Sequence, residues 1–280
     1  MRHLAVLPLL LVSAPAMASW PTDITLSGMR TYDGIRAEEP TEDAYRALIA
    51  DLGTAVANQP VLPADTTGIS GWDLALSTTV LFARILDEDE PTHWQRTHPE
   101  GDPQSTVFLP TVTARKGLPW STEIGVTAGW YGGSHQGVFG GFARLSPLEG
   151  YKPYPDVNLQ IGYSGYINND ELDLGVMDVG ATIGTQFAIK RFRGITFSHW
   201  APYLGVSLLQ VRASPKLDAA TAAEVGALQF GGADADEPAL TLTRLAAGFQ
   251  ITNNKALFRC AAAWIPESVP TLTLGIGFAL

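Results

Sequence analysis

The last eleven residues, Pro270 to Leu280, alternate strictly, with Leu272, Leu274, Ile276, Phe278 and Leu280 on one face and Thr271, Thr273, Gly275, Gly277 and Ala279 on the other. Period-two alternation sends successive side chains to opposite faces of a strand. An apolar row toward lipid and a small or polar row toward a lumen is what each strand of a membrane-spanning β-barrel needs. The pattern recurs upstream. Val157, Leu159, Ile161 and Tyr163 oppose Asn158, Gln160, Gly162 and Ser164, and Ile124, Val126, Ala128 and Trp130 oppose Glu123, Gly125, Thr127 and Gly129. From Gly68 onward the chain reads as ten strands, at about 69–83, 105–115, 119–131, 137–146, 156–167, 172–189, 196–212, 239–252, 256–265 and 270–280, with eight or twelve as alternatives. The sixth changes phase after Val176, from Leu172, Leu174 and Val176 to Val179, Ala181, Ile183, Thr185 and Phe187. A bulge, or a strand extending beyond the membrane, accounts for such a slip.

Loop lengths test the count. Barrels of the bacterial outer membrane have short periplasmic turns and longer outer loops. With the first strand running outward, 84–104 and 213–238 become outer loops, and they are by far the longest connections. Lys116 to Pro119, 190–194 and Asn253-Asn254 fall at periplasmic turns, with 147–155 a longer turn on that side. Trp120 and Trp130 bracket one strand, and Trp72 with Phe82 repeats the spacing. Ten residues at roughly 3.3 Å each and a tilt of about 40° span on the order of 25 Å, the height of the apolar band between aromatic girdles.

One helix is predicted, over 41–57. Pro40-Thr41 followed by Glu42 and Asp43 is a helix start, and Tyr45, Leu48, Ile49, Leu52 and Val56 form an apolar stripe. The stripe must pack on something, either the barrel lumen or its periplasmic mouth. Arg2 and His3, the apolar run Leu4 to Val12 and Ala16-Met17-Ala18 read as a secretory signal over 1–18. Ser19 rather than Cys follows, so no lipid anchor is expected there. The organisation expected is therefore signal 1–18, an N-terminal periplasmic or luminal segment 19–67, and an all-β antiparallel barrel over 68–280.

A formal net charge of −10 argues against nucleic acid as a partner. Cys260 is the single cysteine, so no internal disulfide forms, and it reads as a small apolar side chain. Mean hydropathy of +0.09 suits a barrel, where polar inward residues mask the membrane face.

The terminal strand resembles the sorting signal read by the bacterial barrel-assembly machinery, at Thr273, Gly275, Phe278 and Leu280, although the final residue of that signal is usually aromatic. The helix Tyr45 to Gly53, the link Leu62 to Gly68 and Arg115 to Trp120 resemble a group of uncharacterised outer-membrane β-barrel proteins of myxobacteria and related proteobacteria. That resemblance implies fold and location and brings no substrate or catalytic residues.

Candidate chemistry is sparse. His93, His98, Glu100 and Asp102 in the first long loop read as incidental polar residues, and Asp87 to Glu90 with Asp234, Asp236 and Glu237 as solvated acids. Ser134-His135 and Ser198-His199 pair a hydroxyl with an imidazole only in sequence, and no orienting third group is evident, so no enzymatic activity is expected. Inside the barrel we expect Glu123, Asn158, Gln160, Ser164, Thr182, Gln186 and Arg259, with Arg144 a further candidate. Lipid exposure of Arg259 would cost roughly 2 to 4 kcal/mol near the midplane. No cofactor or metal is implied. The expected partners are outer-membrane lipid and lipopolysaccharide, the assembly machinery and an unidentified small solute. The expected role is passive passage or binding of that solute in the outer membrane. A structural or adhesive role through the long loops, and a β-sandwich in the periplasm, are the alternatives.

Overall fold

The computed structural model describes residues 23, 24, 26, 40–83, 92–97, 106–150, 154–188, 199–216, 240–266 and 268–280. The signal, most of both long loops, the acids within them, His98 and Ser198 lie outside the described residues. Eleven strand segments form one sheet: β1 (Trp72–Phe82), β2 (Thr106–Leu118), β3 (Thr122–Trp130), β4 (Gly137–Leu145), β5 (Asp156–Ile167), β6 (Leu172–Gly184), β7 (Phe187–Ala188), β8 (His199–Pro215), β9 (Leu240–Asn253), β10 (Ala256–Trp264) and β11 (Thr271–Ala279). Every neighbour is antiparallel, and β1 pairs with β11 from Asp73↔Ala279 to Leu81↔Thr271, which closes the ring. The two-residue β7 continues β6 along β8 without a change of register, Gly184↔Tyr203 leading to Phe187↔Trp200. The result is a ten-stranded antiparallel barrel. A single sheet closed on itself rules out the β-sandwich.

All ten expected strands are present, with ends shifted by up to three residues. The alternation read from sequence sets the faces. Leu74, Leu76, Ile124, Val126, Ile161, Leu204, Leu274 and Ile276 are exposed on the outer wall, while Asp73, Ser77, Thr113, Glu123, Ser164 and Thr273 are buried within. One end of the barrel carries the strand termini Trp72 and Ala279; the other carries both long connections, β1 to β2 and β8 to β9, and the turns that join β3 to β4 and β5 to β6. We call these the terminal end and the loop end.

The sixth strand contains no bulge. Its register is continuous with β5, from Asp156↔Gly184 to Gly165↔Gly175, and with β8 along its length. Leu172, Leu174 and Val176 point inward and are buried, whereas Met177, Val179 and Ile183 point outward and are exposed. The apolar residues change faces because the interior at the loop end is itself apolar, while the outer wall there is not required to be: Asp173 and Gly175 occupy it.

What makes that interior apolar is α1 (Pro40–Val56). The expected stripe Tyr45, Leu48, Ile49, Leu52 and Val56 is buried, but so are Ala50, Asp51, Gly53, Thr54 and Ala55. The helix is thus not amphipathic in its second half; it is enclosed on all sides, as a helix inside a barrel must be. Leu81 of β1, Leu109 of β2, Tyr166 of β5, Val211 of β8 and Leu242 of β9 share one cluster with it. Gly53 lets the helix lie against the wall, since a Cβ there would meet Val211 Cγ2 at 2.5 Å. The last helical carbonyls need partners, and Gln59 Nε2 donates to Thr54 O (3.2 Å), Ala55 O (3.0 Å) and Ala57 O (3.0 Å). A second helix, α2 (His93–Arg96), opens with a capping box between Thr92 and Gln95 and covers the loop end.

From Ala57 the chain descends through the lumen to β1. Asn58 Nδ2 donates to Asp178 Oδ2 (2.8 Å) at mid-barrel, Ser146 Oγ donates to Ala64 O (2.8 Å), and Thr66 N donates to Glu149 Oε1 (2.9 Å) at the terminal end. Gly68, at φ +73°, turns the chain outward into the wall.

Leu274 sits midway along β11 on the outer face. Leu274→Arg should lower the unfolding free energy in lipid bilayers by roughly 2–4 kcal/mol, read from urea titrations. An unchanged midpoint would place that face away from acyl chains.

Candidate functional site in the barrel interior

Near the terminal end, inward positions on seven strands converge on one polar network. Register places Asp73 opposite Arg115, Glu123 opposite Arg144, and Arg259 opposite Gln250. Arg115 donates to Asp73 Oδ2 through Nε (2.9 Å) and Nη2 (2.7 Å), and through Nη1 to Glu123 Oε1 (3.1 Å). Glu123 Oε1 also accepts from Arg144 Nη1 (3.1 Å), and Asp73 Oδ2 also accepts from Arg259. The chain of contacts continues at both ends, Arg259 Nε donating to Gln250 Oε1 (2.8 Å) and Arg144 Nε to Asn158 Oδ1 (3.0 Å). It also grips the descending segment. Arg144 donates to Pro63 O, and Thr67 N donates to Glu123 Oε2 (3.0 Å).

At mid-barrel Asp178 Oδ1 accepts from Gln160 Nε2 (3.0 Å), beside the Asn58 contact, and Arg244 Nε donates to Ser207 Oγ (2.9 Å). Gly162 makes room, for a Cβ there would meet Asn58 Nδ2 at 2.4 Å. Two cavities of about 20 and about 10 Å³ flank Asn58 and Gln59. Each is the size of a water site.

At the loop end Asp51 of α1 holds the cap in place. Its Oδ2 lies 2.7 Å from His93 Nε2 and accepts from Trp94 Nε1 (2.8 Å); its Oδ1 accepts from Ser268 Oγ (2.7 Å) and Val269 N (3.1 Å). Tyr45, also on α1, has a buried hydroxyl without a hydrogen-bond partner among the described residues.

Glu123, Asn158 and Arg259, with Arg144, lie in the terminal-end network; Gln160 and Ser164 face the mid-barrel level, and Thr182 is inward and half-buried. Gln186 is the exception: it falls between β6 and β7 and is exposed, outside the network. Sequence reasoning missed Asp73, Arg115, Asp178, Arg244 and Gln250. The parity argument that places Arg259 inside applies equally to Arg244, which lies between the outward residues Thr243 and Leu245.

Trp72, Phe82 and Trp130 point outward, about half exposed, and Trp120 is 89% exposed in the turn after β2. Thr273 and Gly275 face inward, Phe278 and Leu280 outward. Cys260 lies on the outer face of β10, between Arg259 and Ala261, which are buried within. Ser134 Oγ donates to Asp23 Oδ1 (2.6 Å) rather than meeting His135 as a nucleophile would meet its base. No group of three potential metal-ligating side chains occurs among the described residues.

Removing one partner from a buried ion network strands the others. Asp73→Ala, which strips Arg259 of its carboxylate and leaves Arg115 with Glu123 alone, should cost about 3–5 kcal/mol, against about 1 kcal/mol for Ser77→Ala, which breaks one neutral hydroxyl pair with Thr111. Urea unfolding of the two variants in the same lipid checks the contrast, and equal losses would contradict a cooperative network.

No family model and no curated protein matches the chain. Solved barrels do resemble its shape. The translocator domain of the autotransporter NalP from Neisseria meningitidis aligns over 86% of this chain and 97% of its own, at 11% identity and TM-score 0.42. Ail, the attachment invasion locus protein of Yersinia pestis, aligns over 76% and 99%, at 8% identity and TM-score 0.26. The Acinetobacter baumannii outer membrane protein Omp33 aligns over 76% and 98%, at 8% identity and TM-score 0.31. The closed ring and the apolar outer wall of this chain stand independently of that similarity.

Proposed function

We propose that the protein is an integral outer-membrane barrel sealed by its own N-terminal segment, and that it acts through the surface it presents rather than by passing a solute. The observation that carries this reading is the filled lumen. Residues 44–67 occupy the interior from the loop end to the terminal end, and the cavities beside Asn58 take water only. The apolar outer wall and the terminal strand with its sorting-signal pattern support a place in the outer membrane. In that setting the terminal end is periplasmic and the loop end faces outward, because long connections lie outside in such barrels. Lipid and lipopolysaccharide are then the partners of the wall, and the assembly machinery the partner of β11. The reading favours the structural or adhesive role over passage; passage would first require breaking the contacts of Asn58, Ala64, Thr66 and Thr67 with the wall. No catalytic step belongs to it.

Conductance in planar bilayers tests the reading directly. The full mature protein should give no channel steps, and deletion of residues 40–67 should open a stable conductance through the emptied lumen. Steady conductance from the intact chain would overturn the proposal.

A further inference from the structure

The course of the chain through the barrel has a consequence for topology. Both ends of the wall, Trp72 and Leu280, meet at the terminal end, where Trp72 N donates to Leu280 O (3.1 Å) and Leu280 N to Trp72 O (2.8 Å). From Gly68 the chain traced backward rises past Ser146 and Asp178, becomes α1, and leaves the lumen at the loop end. There Asp43 and Arg46 are exposed, whereas Leu48 to Ala57 are enclosed. Asn58 sits at mid-barrel, so the helix above it, 17 residues at about 1.5 Å each and roughly 25 Å long, is long enough to clear the upper half of a membrane band about 25 Å tall.

The described residues ahead of α1, Asp23, Ile24 and Leu26, stay at the loop end. Asp23, Ile24 and Leu26 lie across the loop-end turns that join β3 to β4 and β5 to β6. Ile24 N donates to Gln136 Oε1 (3.1 Å), Asn169 Nδ2 donates to Ile24 O (3.2 Å), and Leu26 N donates to Glu171 Oε2 (2.5 Å). Asp23 Oδ2 lies 3.1 Å from His135 Nδ1, and its other oxygen accepts from Ser134. Ile24 and Leu26 are buried in the same apolar cluster as α1. These are specific contacts with backbone groups satisfied on both sides, not a chance approach of a tail.

We infer that the protein carries its own N-terminal segment through the lumen to the outer side of the membrane, where Asp23, Ile24 and Leu26 strap it to the loop-end turns. The inference rests on the outer-membrane reading above, which fixes the loop end as the outer one. It adds that a segment exported ahead of the barrel in sequence crosses the membrane inside the barrel.

The test uses the full chain in intact cells. One epitope is inserted after Arg30, a second, in a separate variant, within 213–238, and a third within 190–194. Antibody should label the Arg30 and 213–238 variants in intact cells as strongly as in permeabilised ones, and the 190–194 variant only after permeabilisation. Added protease should remove the Arg30 epitope from intact cells while the barrel keeps its heat-modifiable gel mobility. If the 213–238 epitope is accessible and the Arg30 epitope is reached only after permeabilisation, the topology is wrong although the membrane reading stands. If both are inaccessible, or the 190–194 epitope labels intact cells, the orientation and the inference fall together.

Discussion

Every backbone donor and acceptor at bilayer depth needs a protein partner, because acyl chains offer none. The pairing of β1 with β11 meets this demand along the only seam where the first and last strands could leave an edge. It runs from Asp73 to Leu81, is extended by the two Trp72 and Leu280 bonds, and is reinforced on the inside by Thr79 and Thr273, whose hydroxyls lie 2.9 Å apart. Once the seam exists, the faces of all other strands follow from parity.

Closure creates a second demand. Ten strands enclose more room than eight, which side chains alone can fill. The chain meets it with its own upstream residues, and the chemistry of the filling follows the chemistry of the segment. A helix has satisfied its own backbone, so the wall around α1 can be apolar. The extended link below has not, so the wall there supplies Ser146, Glu123 and Arg144 as partners. The three arginines of the terminal end share two carboxylates where water is excluded.

The strands were legible because their period-two pattern survives wherever one face meets lipid. Where both faces change character the pattern misleads: Leu172, Leu174 and Val176 look like a slipped register but are a straight strand beside a buried helix. The helix itself was visible from its stripe, yet Asp51 and Gly53, which lie off that stripe, are enclosed as well. Each finds a role only in three dimensions, Asp51 by accepting from the cap and Gly53 by touching Val211. The link 58–67 has no periodicity at all, since an extended strap bonds residue by residue to whichever strand is near. Gln186 obeyed the alternation rule but sits where the strand is interrupted at the rim, so parity no longer decides its surroundings.

The seam also orders events in time. Its final partner, β11, follows every other described strand in the sequence, so the cylinder cannot shut before all of them have been made. By then the strap from Ala57 to Thr67 must already lie between the two unjoined edges, because a helix with Leu48, Ile49 and Leu52 on its flanks does not pass through a narrow finished tube lined by Arg115, Arg144 and Arg259. The wall is wrapped around its contents rather than filled afterwards, and the plug is a template for closure as much as a stopper.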